Sequence, residues 1–134
     1  MNPKTIIPAF IFILLRGCFS ADAQVLEQDS LALVAFYNST GGPNWKKNTN
    51  WLTGPVSTWY GVKVENGRVT ELGKEGSFSF NNLTGQLPTE IGHLTALRIL
   101  ISGNNPDLSG AIPEEIGNLH ELVYFGIGNS SLTG

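Results

Sequence analysis

Cysteine is almost missing from this chain: Cys18 is the single one in 134 residues. An intrachain disulfide is therefore excluded, and with it the usual device by which small secreted domains offset a small core. Charge is also scarce. Charged residues make up 14% of the chain and hydrophobic ones 41%, the reverse of a disordered composition. No basic stripe with interleaved aromatics occurs, which argues against nucleic-acid binding. The longest apolar run, Ile6–Leu15, falls short of the ~20 residues that a membrane-spanning helix needs. Catalytic signatures are absent too. There is no Gly-x-Ser-x-Gly elbow and no His/Cys/Asp cluster with metal-ligand spacing. We expect no catalytic residue, no metal and no cofactor.

What the chain has is repetition. Asn82-Leu83-Thr84-Gly85-Gln86-Leu87-Pro88-Thr89-Glu90-Ile91-Gly92-His93-Leu94 returns as Asp107-Leu108-Ser109-Gly110-Ala111-Ile112-Pro113-Glu114-Glu115-Ile116-Gly117-Asn118-Leu119, and starts again at Ser131-Leu132-Thr133-Gly134. Gly85 to Gly110 is 25 residues and Gly110 to Gly134 is 24. A period of this length with leucine at fixed offsets signals a stacked-repeat solenoid. The 16 glycines and 7 prolines recur at set repeat positions and punctuate turns. His93 and His120 fall at non-equivalent positions of the repeat, which speaks for exposed surface. Glu114 and Glu115 follow Pro113, where acids favour the start of a short helix. A glycosidase pair would instead face itself across a cleft.

The first residues form a separate unit. Lys4, the apolar run and Ala21-Asp22-Ala23 make a secretory signal peptide over residues 1–23. The rival reading takes Leu14-Leu15-Arg16-Gly17-Cys18 as a lipoprotein box with a lipid anchor at Cys18, and Arg16 fits that box poorly. After cleavage six basic residues face ten acids, a net charge of −4, which favours solubility.

Residues 24–72 read as an N-terminal cap. Gln24–Asn38 is predicted to be a helix. Asp29 or Ser30 serves as its N-cap, and Leu31, Val34 and Ala35, with Phe36 nearby, form the buried face. Gly41-Gly42-Pro43 ends it. Trp45, Trp51, Trp59 and Tyr60 crowd into sixteen residues. They are expected to pack between the helix and the first repeat, covering the open end of the array; the alternative is a carbohydrate-stacking platform. Tyr60–Leu72 is a predicted hairpin turning at Asn66-Gly67.

These residues carry a family resemblance. Asp29-Ser30-Leu31-Ala32-Leu33, Asn50-Trp51-Leu52, Trp59-Tyr60-Gly61-Val62 and Asn66-Gly67-Arg68-Val69-Thr70-Glu71-Leu72, followed by the Leu-Thr/Ser-Gly-x-Leu/Ile-Pro repeats, resemble plant-type extracellular leucine-rich repeat (LRR) proteins. The resemblance spans residues 27–134. Val64 stands where the plant cap usually has a cysteine, as in the cysteine-free versions of bacterial secreted LRR proteins. The implied fold is an α/β solenoid, right-handed, with short parallel strands on a concave face and a helical, aromatic N-terminal cap. Residues 73–134 would hold about two complete repeats and part of a third. The implied role is a secreted or cell-surface module that binds a protein or glycan. Alternatives are a structural or adhesive N-terminal part of a longer surface protein or receptor, and an inhibitor of a polysaccharide-degrading enzyme.

Strand alternation puts Ile99 and Ile101 of the second repeat and Tyr124 and Gly126 of the third on the concave surface, a small exposed apolar patch. In the first repeat Ser77 and Ser79 are the candidates. Asn81 and Asn105 hold the turn after each strand, where an amide can both donate and accept. In the third repeat this position falls on Ser130, with Asn129 one residue early, and a looser turn is expected. The segment Gly73–Phe78 lengthens the first repeat, read as surface variation or as a functional loop. Three sequons, at Asn38, Asn82 and Asn129, are open to glycosylation in a host that performs it.

Overall fold

The computed structural model describes residues 25–134. The expected signal peptide, residues 1–23, and Cys18 lie outside the described residues. Helix α1 spans Glu27–Ser39. Strands β1 (Val62–Glu65) and β2 (Arg68–Leu72) are followed by β3 (Ile99–Ile101), β4 (Ser109–Ala111), β5 (Tyr124–Gly126) and β6 (Ser131–Thr133). Short 3-10 helical turns fill the returns, at Thr89–His93 and Glu114–Asn118 among other places.

Two sheets organise the described residues. The larger has the order β1-β2-β3-β5. Its β1 and β2 are antiparallel, joined by Asn66 (φ 51°) and Gly67 (φ 74°), the paired left-handed residues that a tight hairpin turn requires. From β2 onward the pairing is parallel, as stacked repeats demand. The smaller sheet pairs β4 with β6 in parallel, and a bridge from Gly85 to Leu108 continues it into the first repeat. The returning side thus contains strands as well as the turns and helical stretches expected from the sequence.

Helix α1 buries a different face from the one expected. Asp29, Ala32, Leu33, Phe36 and Tyr37 are buried, a stripe at i, i+3, i+4, i+7 and i+8. Leu31 is 59% exposed, and Val34 and Ala35 are only half-buried. Nor does Asp29 cap the helix. The N-cap is Leu26, without a side-chain bond. Asp29 is fully buried and accepts from Arg68 Nε at 2.9 Å, Arg68 Nη2 at 3.1 Å and the Val69 N–H at 2.9 Å. A charged residue inside the buried stripe masks its apolar period. The carboxylate is tolerated there because a bidentate guanidinium and a backbone donor replace its water. Arg68 holds its proton more tightly than an ordinary arginine because of its hydrogen bond to Asp29.

The end of α1 docks onto the first repeat. The Thr84 and Gln86 N–H groups donate to the carbonyls of Thr40 and Ser39. Gly85 lies between them at φ 70°, and a side chain there would run into the Ser39 carbonyl. Only glycine suits both the conformation and the close approach.

Trp45, Trp51 and Trp59 are buried. Trp45 and Trp51 lie against Phe36, Tyr37 and Phe78 with ring centroids 5.2–6.4 Å apart, and Trp51 packs on Trp59 at 5.0 Å. Each indole N–H donates to a backbone carbonyl, of Thr40, Tyr60 and Thr53 respectively, as a buried tryptophan requires. These rings do not form an exposed platform. The inserted segment is more than a surface loop: it delivers Phe78, fully buried, into this cluster.

Past the cluster the core is a leucine stack. Leu72, Leu83, Ile91, Leu94, Leu97, Leu100 and Leu108 are fully buried, each contributing about 1.5–3 kcal/mol before entropy. Among their successors Leu119 is buried, while Ile116, Leu122, Phe125 and Leu132 are partly buried.

Candidate functional site

One row of facing residues crosses the larger sheet. Lys63 pairs with Glu71, Glu71 with Ile99, and Ile99 with Tyr124. The row begins charged and ends apolar. Lys63 Nζ lies 3.1 Å from Glu71 and 3.2 Å from Glu65, and hydrogen bonds to these carboxylates, Glu71 foremost, raise its pKa above the usual lysine value.

This register corrects the first-repeat assignment. The strand beside β3 is β2, so Glu71 is the neighbour of Ile99, and Ser77 and Ser79 lie outside any strand. Counting back from the turn missed this because the inserted residues separate strand from turn. The Ser77 hydroxyl is buried without a hydrogen-bond partner, against Gly61. It does not reach the concave surface.

Ser79, Ile101, Tyr124 and Gly126 do come together. With Gly103, Asn104, Gly128 and Asn129 they line a shallow pocket of about 210 Å³. Gly128 leaves its backbone open, whereas Gly126 lies under the Tyr124 ring and Gly103 is buried against Gly128. Tyr124 is 55% exposed, whereas Ile99 and Ile101 are half-buried, so the apolar patch is narrower than expected. Sequence reasoning missed Asn104, whose counterpart in the third repeat is Asn129. Asn129 Nδ2 donates to Asn104 Oδ1 at 2.8 Å. The signal was available: each precedes a turn-ladder position by one residue. No charged side chain lines this pocket.

The turn ladder lies beneath. Asn105 Oδ1 accepts from the Asn81 and Leu83 N–H groups, both at 3.0 Å. Its Nδ2 lies 2.9 Å from the carbonyls of Phe78, Ser102 and Gly103. Asn81 exchanges hydrogen bonds with the Lys47 backbone in both directions. In the third repeat Ser130 occupies this place, donating to the Ile127 carbonyl and accepting from the Leu132 N–H. Asn129 is therefore not a displaced ladder residue but the successor of Asn104.

His93 and His120 are exposed. Among the described residues no group of three His, Cys, Asp or Glu could hold a metal ion, and no helix is long and apolar enough to cross a membrane.

Several known proteins resemble this chain, although no family model matches it. A probable inactive receptor kinase of Arabidopsis thaliana is 34% identical over 100 residues, covering 74% of this chain and 14% of that protein. The solved structure of a plant ice-binding protein superposes with a TM-score of 0.70 at 26% identity, over 81% of this chain and 34% of that one. The LRR ectodomain of the Arabidopsis receptor kinase HAESA, solved in complex with a peptide hormone ligand, gives a TM-score of 0.65 at 22% identity, over 80% of this chain and 17% of that one. The fold is an LRR solenoid, and the chain is an LRR protein similar to plant receptor-kinase ectodomains. It spans only a small part of the length of each of these relatives.

Proposed function

We propose that this protein is an extracellular or cell-surface recognition module that binds its partner on the concave face. The observation that carries this reading is the pocket at Ile101, Tyr124 and Gly126. It combines an exposed aromatic ring with paired amides and the Gly128 backbone, groups that can stack on a partner and exchange hydrogen bonds with it. The peptide-bound HAESA ectodomain, of the same fold, lends support. Residues 1–23 would direct export. The test is a pull-down from extracellular extract with wild type and the Ile101→Asp/Tyr124→Ala double variant. The variant should lose the captured partner while keeping its circular dichroism spectrum. Equal capture by both proteins would move the site elsewhere.

A second reading concerns the start of the array. Residues 24–72 act as a cap, supported by the buried tryptophans and the docking of α1 on Thr84–Gln86. Deleting residues 24–60 should then yield an aggregating fragment, and a soluble folded remainder would refute the role.

A further inference from the structure

We propose that the binding surface continues from the concave pocket, over the ridge of repeat turns, to a second subsite at Phe80, and that its ligand is a neutral oligosaccharide. The proposal rests on the concave-face reading above and adds to it an anchor and a ligand class.

The residue preceding each ladder position repeats one backbone conformation. Phe80, Asn104 and Asn129 have φ of 58°, 59° and 57°. The Phe80 N–H donates to the Asn104 carbonyl at 3.2 Å, and the Asn104 N–H donates to the Gly128 carbonyl at 2.7 Å. Asparagine tolerates this left-handed region, while a bulky residue there is strained. Phe80 recovers little by burial, because it is 67% exposed. The fold does not need the ring, since asparagine serves the same backbone in the next two repeats. Strain combined with exposure at one aromatic residue points to a contact outside the chain.

The surroundings indicate what that contact is. Phe80 lines a pocket of about 200 Å³ together with Lys46, Asn82, Asn104, Pro106 and Asp107. Asn104 lines this pocket and the concave one alike, so the two adjoin at that residue. Among the described residues Phe80 and Tyr124 are the exposed aromatics, and each belongs to one of the two pockets. The path between them carries the Asn104–Asn129 amide pair. Charged groups along it are Lys46 and Asp107, which offset one another. A chain of neutral pyranose rings matches this layout. The C–H faces of the rings rest on the two aromatic side chains, and the hydroxyls meet amides that donate and accept. An anionic polymer would find no excess of cations.

The test is calorimetric titration of the full chain with neutral hexasaccharides (cellohexaose, laminarihexaose, mannohexaose) and with anionic hexagalacturonate. The proteins compared are wild type, Phe80→Asn and Tyr124→Ala. Phe80→Asn relieves the strain and restores the residue of the other repeats. It should weaken binding of at least one neutral hexasaccharide tenfold or more, with Tm unchanged or raised. A purely structural Phe80 would instead lower Tm, and that result overturns the proposal. So does wild-type protein that ignores all neutral hexasaccharides, prefers hexagalacturonate, or binds as well after Phe80→Asn. If Tyr124→Ala alone loses the ligand or the pulled-down partner, the concave-face reading stands and the Phe80 subsite falls. Capture of a protein or peptide without oligosaccharide binding overturns the ligand class.

Discussion

The ring of Tyr124 lies across Gly126: a methyl group added to that glycine would sit 2.9 Å from Tyr124 Cε2 and 3.4 Å from its hydroxyl oxygen. Gly126 has no left-handed φ, so its value is space alone. Gly126→Ala should push the tyrosine ring off the pocket floor at a stability cost below about 1 kcal/mol. Partner capture should fall as it does for Tyr124→Ala, while the urea midpoint barely moves. Unchanged capture would mean that the ring position is irrelevant to binding.

Asp29 and Arg68 tie the helix to the hairpin. Arg68 Nη2 also donates to Thr95 Oγ1 at 2.9 Å, which brings in the first repeat. Removing the guanidinium leaves a fully buried carboxylate with one backbone donor. Arg68→Met should therefore destabilise by about 3–5 kcal/mol. The Asp29→Asn/Arg68→Met double variant should recover part of the loss, because no buried charge is then left unpaired. Chemical denaturation of both variants reads this directly, and a single variant as stable as wild type would contradict it.

Asn105 and Ser130 occupy the same turn with unequal bonding. Asn105→Ala strands several buried carbonyls and two N–H groups, at about 1–3 kcal/mol for each group left unsatisfied. The protein should lose most of its stability. Ser130→Asn, at the less buried position, should be neutral or gain up to about 1 kcal/mol. Thermal melts of the pair separate a ladder role from a generic turn role.

Gly92 and Gly117 are equivalent repeat positions in different surroundings. A methyl group on Gly92 would lie 2.7 Å from the Glu115 carbonyl oxygen, whereas nothing lies within 4 Å of one on Gly117. Gly92→Ala should cost about 1–3 kcal/mol by forcing the repeats apart. Gly117→Ala should be neutral or stabilise by up to about 1 kcal/mol through the unfolded chain. Equal effects would show that the returning turns do not pack as described.

By itself the sequence determined the repeat and the leucine positions that stacking must bury. Leu83, Leu87, Ile91, Leu94, Leu97 and Leu100 are inward because the same backbone recurs at the same offsets, and any stacked arrangement hides that face. The Asn66-Gly67 turn was equally legible, since its conformation is a local property of two residues. The concave positions Ile101, Tyr124 and Gly126 came from strand alternation. Tertiary structure decided the rest, wherever a residue's setting depends on partners distant in the chain. The face of α1 turned on Arg68, 39 residues beyond Asp29. The first strand register turned on an insertion whose length says nothing of which residues pair, and the hydrophobic pattern could not reveal that Phe78 goes in while Phe80 stays out. Their difference lies in the backbone: Phe78 joins the aromatic core, and Phe80 sits in a left-handed turn that the stacking of repeats imposes.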